Sequence, residues 1–126
     1  MTRKIILVVD DNEDIRGLLL LVLEKEGYEV HIAVDGEEAL EKAQLIKPDL
    51  ILLDVMMPKL SGLEVLSALR KHSDKKISEV PVMMITAKSA LADVDQAGLW
   101  GATSYIVKPF RPLDLRQKVL DLLNPV

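Results

Sequence analysis

Cysteine is absent from all 126 residues. That excludes disulfides and thiolate metal sites, and it is consistent with a reducing compartment. Aromatic residues are scarce, with one Trp, two Tyr and one Phe making up 3% of the chain. The core is therefore expected to be aliphatic, and a 49% hydrophobic content supplies one for a chain of single-domain size. Long apolar runs are also missing. The longest, Leu18–Leu23, falls far short of the about 20 residues that a membrane span needs. Only Ile5–Val9 separates Met1-Thr2-Arg3-Lys4 from Asp10, too little for the apolar region of a signal peptide. A cytoplasmic protein with no membrane partner is expected. Basic charge does not dominate either: 16 Lys and Arg stand against 20 Asp and Glu, a net charge of −4. Phosphate binding needs clustered cations, so no direct nucleic-acid contact is expected.

What the chain does have is alternation. Apolar, strand-like runs cover Lys4–Val9, Glu29–Ala33, Leu50–Leu53, Val82–Thr86 and Ser104–Val107. Continuous apolar runs of this length suit strands buried on both faces of a parallel sheet. Between and after them, helical patterns cover Asn12–Glu26, Gly36–Leu45, Gly62–His72, Leu91–Trp100 and Pro112–Leu123. Turn signals fall at Gly27, Asp35-Gly36, Pro48-Asp49, Pro58, Pro81 and Gly101. The repeated strand–helix order predicts an α/β fold with right-handed crossovers and helices on both faces of the sheet. In the first helix Ile15, Leu18, Leu19 and Val22 form an inward stripe. Leu20 and Leu21 lie off that stripe; packing against a neighbouring helix is the expectation, and an exposed apolar patch the alternative. Gly17, inside the same helix, has no reason legible in the sequence.

Polar residues at strand ends carry the chemistry. Asp10-Asp11 follows the first strand, Asp54 the third and Lys108-Pro109 the fifth, while Thr86 ends the fourth. In a parallel sheet all strand carboxyl ends share one edge, and ligands bind there. Taken singly, each has a plain explanation: an Asp pair as a helix cap, a surface lysine, a threonine chosen for strand propensity. Together they are specific. The three carboxylates and the lysine sum to about −2, and a hard divalent ion would bring that near zero. Mg2+ keeps several waters and leaves room for a phosphoryl oxygen. An ionised carboxylate is itself a nucleophile, so Asp54 attacking a phosphoryl donor would form an acyl phosphate, with Lys108 holding another oxygen.

These segments resemble the receiver domain of two-component response regulators, a family that includes single-domain chemotaxis regulators. The matching stretches are Val8–Asn12, Pro48–Asp54, Met57-Pro58, Ser61-Gly62, Pro81-Val82, Thr86-Ala87 and Gly101-Ala102 through Lys108-Pro109-Phe110. The resemblance spans residues 1–126 as one receiver domain. It implies a flavodoxin-like three-layer sandwich, with a five-stranded parallel sheet of order 2-1-3-4-5 and five helices. It implies Asp54 as phosphoacceptor and Asp10, Asp11, Asp54 and the Met56 backbone carbonyl as ligands of Mg2+, with Mn2+ as a substitute. It implies Lys108 as the phosphate-contacting lysine, Thr86 and Tyr105 as a switch pair, and a cis Lys108–Pro109 bond. It also implies a histidine kinase, a phosphotransfer protein or a small acyl phosphate as donor, and a downstream protein target reached through the fourth helix, fifth strand and fifth helix. That face would also serve a phosphorylation-linked homodimer. The expected output is signalling rather than enzymatic turnover, beyond self-catalysed phosphoryl transfer and autodephosphorylation.

Some positions depart from the family or invite other readings. Trp100 stands where a smaller aliphatic residue is common, and Met56 and Lys88 occupy positions that tune acyl-phosphate lifetime in the family, Met56 as a shield. Because the chain ends soon after the last predicted helix, a stand-alone receiver is expected, although an excised one would end there too. A phosphatase of the haloacid dehalogenase type would need an acid two residues after Asp54, where Met56 stands. A flavodoxin-type flavin site would need a phosphate on Asp10-Asp11-Asn12-Glu13-Asp14, which would repel it.

Overall fold

The computed structural model describes residues 3–87 and 101–124. Its strands are β1 (Ile5–Val9), β2 (Glu29–Ala33), β3 (Leu50–Asp54), β4 (Val82–Ala87) and β5 (Ser104–Lys108). All pair in parallel, in the order β2-β1-β3-β4-β5. The helices among the described residues are α1 (Glu13–Lys25), α2 (Gly36–Ile46), α3 (Gly62–Arg70), a single turn α4 (Lys75–Ser78) and α5 (Pro112–Leu123). The predicted helix Leu91–Trp100, with Trp100 itself, and Lys88 lie outside the described residues.

The period-2 alternation of strand side chains divides the apolar runs between two layers. Ile6, Val8, Leu50, Leu52, Met83 and Ile85 face one way and pack with Leu19 and Leu23 of α1 and with Leu115 and Val119 of α5. Leu7, Val9, Ile51, Leu53, Val82 and Met84 face the other way, onto Ala39 and Ala43 of α2 and Val65, Leu66 and Leu69 of α3. Side-chain oxygens close the starts of α1, α2 and α3: Asn12 accepts the Ile15 N–H at 3.0 Å, Asp35 the Glu38 N–H at 2.9 Å and Ser61 the Glu64 N–H at 3.3 Å. Each such cap contributes about 1 kcal/mol.

Several boundaries differ from the sequence reading. β3, β4 and β5 each run one residue further, so Asp54, Ala87 and Lys108 are strand residues. Helix α3 stops at Arg70 rather than His72, and α4 was not anticipated. It opens on an Asp74 cap, and Arg70 reaches across to the carbonyls of Ser78 (3.2 Å) and Gly101 (2.8 Å). That bridge depends on residues distant in sequence and leaves no periodic signature. Leu21 is 63% exposed, so the packing expected of it is not there, whereas Leu20 is half-buried. Gly17 meets nothing: a Cβ built on it has no neighbour within 4 Å. Gly17→Ala should therefore raise stability by about 0.5–1 kcal/mol through helix propensity alone. Chemical denaturation would register this as a higher midpoint at unchanged slope.

Candidate functional site

The sheet order brings the ends of β1, β3, β4 and β5 side by side, and the predicted acids meet there. Asp10 is fully buried just past β1. Its Oδ1 accepts the Asn12 N–H at 2.9 Å, and Arg16 of α1 donates to its backbone carbonyl at 2.8 Å. Asp54, at the last position of β3, is 4% exposed, and its Oδ1 accepts the Met56 N–H at 3.2 Å. Asp11 is solvent-exposed. One carboxylate oxygen from each of Asp10, Asp11 and Asp54 lies within 4.8 Å of the other two. Lys108 enters from β5, with its Nζ 3.1 Å from Asp10 Oδ2 and 3.7 Å from Asp54 Oδ2.

This arrangement is under-neutralised. Asp10 Oδ2 forms an ion pair with Lys108, yet the buried oxygen accepts no hydrogen bond. Burial, followed by the charge of Asp10, pushes the Asp54 carboxyl up to about 7. Lys108 and the Met56 N–H pull it down but do not prevail. A hard divalent cation fits: the donors are all carboxylate oxygens, one of them is buried without a hydrogen-bond donor, and the net charge is negative. Asp10, Asp11 and Asp54 are the side chains that could hold it.

Local packing sets the position of Asp54. The chain turns sharply from β3 into α3, and the Gly62 N–H donates to the Val55 carbonyl at 2.9 Å. The Asp54 carbonyl lies so close to Gly62 that a side chain there would run into it. Met56, expected to shield the acid, is 62% exposed; its backbone N–H is what engages Asp54.

The expected switch residues stand apart from the acids' hydrogen bonds. Thr86 is fully buried, and its hydroxyl donates to the Ala87 carbonyl at 3.1 Å. It pairs across the ladder with Val107, which shares a face of β5 with Tyr105. Tyr105 is 45% exposed. Beside it a cavity of about 520 Å³ runs between β5 and α5, lined by Tyr105, Phe110, Arg111, Asp114 and Lys118 among others. The Lys108–Pro109 bond is cis, as the resemblance implied. Two contributors had escaped the sequence reading: Arg16, which supports the Asp10 backbone, and Asn12, which both caps α1 and donates to Asp10. An arginine one turn into the first helix was the available signal for Arg16.

Comparisons with known proteins agree with this geometry. A family model described as the response regulator receiver domain matches residues 6–120. The alkaline phosphatase synthesis transcriptional regulatory protein PhoP of Bacillus subtilis (strain 168) is 48% identical over 121 residues, which cover 96% of this chain and 49% of PhoP. The probable transcriptional regulator ycf27 of Cyanophora paradoxa is 47% identical over 124 residues, covering 98% of this chain and 50% of that protein. The chain thus spans about half the length of the curated relatives it matches. Among solved structures, the chemotaxis protein CheY4 of Vibrio cholerae superposes with a TM-score of 0.89 at 36% identity, covering 97% of this chain and 100% of CheY4. Among the described residues, no helix is long and apolar enough to cross a membrane.

Proposed function

Because the chain belongs to the response regulator receiver family of two-component systems, we propose that it is a phosphorylation-activated switch in which Asp54 is the phosphoacceptor. The observation that carries this reading is the gathering of Asp10, Asp11 and Asp54 within 4.8 Å, with Lys108 against two of them. Mg2+, or Mn2+, held by these three carboxylates and the Met56 carbonyl, would neutralise phosphoryl oxygens and favour the ionised acids.

The residues of the chain divide the remaining work. Asp54 must be ionised to act as nucleophile, and the Lys108 ammonium and the Met56 N–H favour that form. An Asp54 oxygen then attacks phosphorus in line. The bond from phosphorus to the donor breaks and its electron pair leaves with the donor, a phosphohistidine nitrogen of a histidine kinase or phosphotransfer protein, or the oxygen of a small acyl phosphate. Lys108 follows the charge as it moves onto the phosphoryl oxygens. Thr86 turns its hydroxyl from the Ala87 carbonyl to the new group, and Tyr105 moves inward, changing the β5–α5 face offered to a downstream protein or to a second copy. The acidic balance of the chain argues for protein partners rather than direct nucleic-acid contact at this domain.

Incubation with acetyl phosphate and Mg2+ should add one phosphoryl group per chain, mapped to the peptide that contains Asp54. Addition of EDTA beforehand should abolish it. Intact-mass and peptide mass spectrometry check both. Chelator-insensitive labelling, or a label on another residue, would overturn the assignment.

A further inference from the structure

The exposed Tyr105 ring is not simply left in solvent. The Lys118 ammonium of α5 sits 5.7 Å from the ring centroid, within the range at which a cation is attracted to an aromatic face. Lys118 and Tyr105 both border the cavity between β5 and α5. Helical geometry puts Lys118 one turn beyond Asp114, which borders the same cavity. At the same time the Thr86 hydroxyl is engaged with the Ala87 carbonyl. The tyrosine is outward and covered by a cation, and the threonine hydroxyl is held by backbone.

From this juxtaposition we infer that Lys118 is a positioning residue, a latch that holds Tyr105 in its outward rotamer and so biases the unphosphorylated domain against its active face. The inference rests on the proposed switch role of Tyr105 and adds a residue that regulates it. Its physical basis is differential contact. The ammonium meets the ring only when the ring is outside, so the contact stabilises that state alone and shifts the equilibrium by its own worth. For an exposed cation and ring this amounts to about a two- to fivefold bias. The latch is therefore weak enough for phosphorylation to overcome and strong enough to lower basal output. Because Lys118 is not among the residues of the acid cluster or its ion pairs, its loss should leave the phosphorylation chemistry itself intact.

The test uses the full chain labelled with 3-fluorotyrosine. Its two tyrosines give two 19F resonances, and Tyr28→Phe identifies that of Tyr105. Phosphorylation of the unsubstituted protein with acetyl phosphate and Mg2+ defines the inward shift. In the unphosphorylated state Lys118→Met, which keeps the apolar stem and removes the charge, should move the Tyr105 resonance toward that position, with the inward fraction raised about two- to fivefold. Lys118→Arg, which keeps the cation, should leave it where the unsubstituted protein has it. A Lys118→Met resonance that stays put, or a Lys118→Arg resonance that moves as far, would overturn the latch while leaving the switch intact. A Tyr105 resonance unmoved by phosphorylation of the unsubstituted protein would instead overturn the switch role, and the latch with it.

Discussion

Replacing Asp54 by Asn should make the metal-free protein more stable at pH 8, by on the order of 2–4 kcal/mol, while removing every phosphoryl group that acetyl phosphate can add. The stability gain follows from a carboxylate held in an environment that disfavours its charge. Folded, Asp54 keeps its proton up to about pH 7, because burial and Asp10 raise it. Unfolded, the same side chain releases its proton near pH 4. Between those values the folded state binds the additional proton, so the Asp54 contribution to stability falls as pH rises and is fully lost above about 7. Asn has no proton to lose and escapes that loss. The advantage of Asp54→Asn should therefore be small near pH 4, grow to about pH 7 and then level off. Millimolar Mg2+ should narrow the gap at pH 8, since an ion that binds the native trio of acids stabilises the unsubstituted chain more. Thermal or urea unfolding at pH 4, 6 and 8, with and without Mg2+, measures all of this. Equal stability of the two proteins at pH 8 would mean that Asp54 is not strained by its surroundings.

Gly62→Ala should have the opposite sign and a comparable size, destabilising the protein by about 3 kcal/mol or more. A methyl at Gly62 would collide with the Asp54 carbonyl oxygen and sit 2.9 Å from Val55 Cα. All the atoms in the way are backbone, so no rotamer relieves the clash. Strand β3 is buried throughout and hydrogen-bonded on both sides, so it cannot retreat. The helix must move instead, lifting Val65, Leu66 and Leu69 from a layer in which all three are at most 2% exposed. The melting temperature should fall by on the order of 10 °C, and the surviving folded protein should phosphorylate more slowly, because the crowded carbonyl belongs to Asp54, the proposed phosphoacceptor. Calorimetry of Gly62→Ala beside Gly17→Ala is a direct contrast: the same chemical change, opposite effects, decided by what each new methyl meets.

Much of this architecture is legible in the chain itself. Alternating apolar runs and helical patterns specified a parallel α/β architecture, because a strand covered on both faces has no polar side to show. The acids and the lysine at strand ends identified the edge where chemistry gathers, since parallel connectivity places every strand's carboxyl end together. All three acids are aspartates, so position at the strand ends and the family resemblance, not residue type, made Asp54 the candidate nucleophile and Asp10 and Asp11 its companions. Helix α4 and the Arg70 bridge were not legible, because a four-residue turn has no periodicity and a bond from Arg70 to Gly101 spans distant sequence. The exposure of Leu21 escaped for a related reason, as nothing within α1 says whether a neighbouring helix is near enough to cover it.

The amino-acid sequence by itself determined which groups carry charge, which could act as nucleophiles and on which edge they lie, because those properties follow from side-chain chemistry and strand order. Only the tertiary structure decided how strongly those groups disturb one another. The buried, donorless oxygen of Asp10, the raised Asp54, the closeness of Gly62 and the cation over Tyr105 all depend on distances of a few ångströms between different elements of the fold. Electrostatic and steric energies change steeply over such distances, and linear order carries no measure of them.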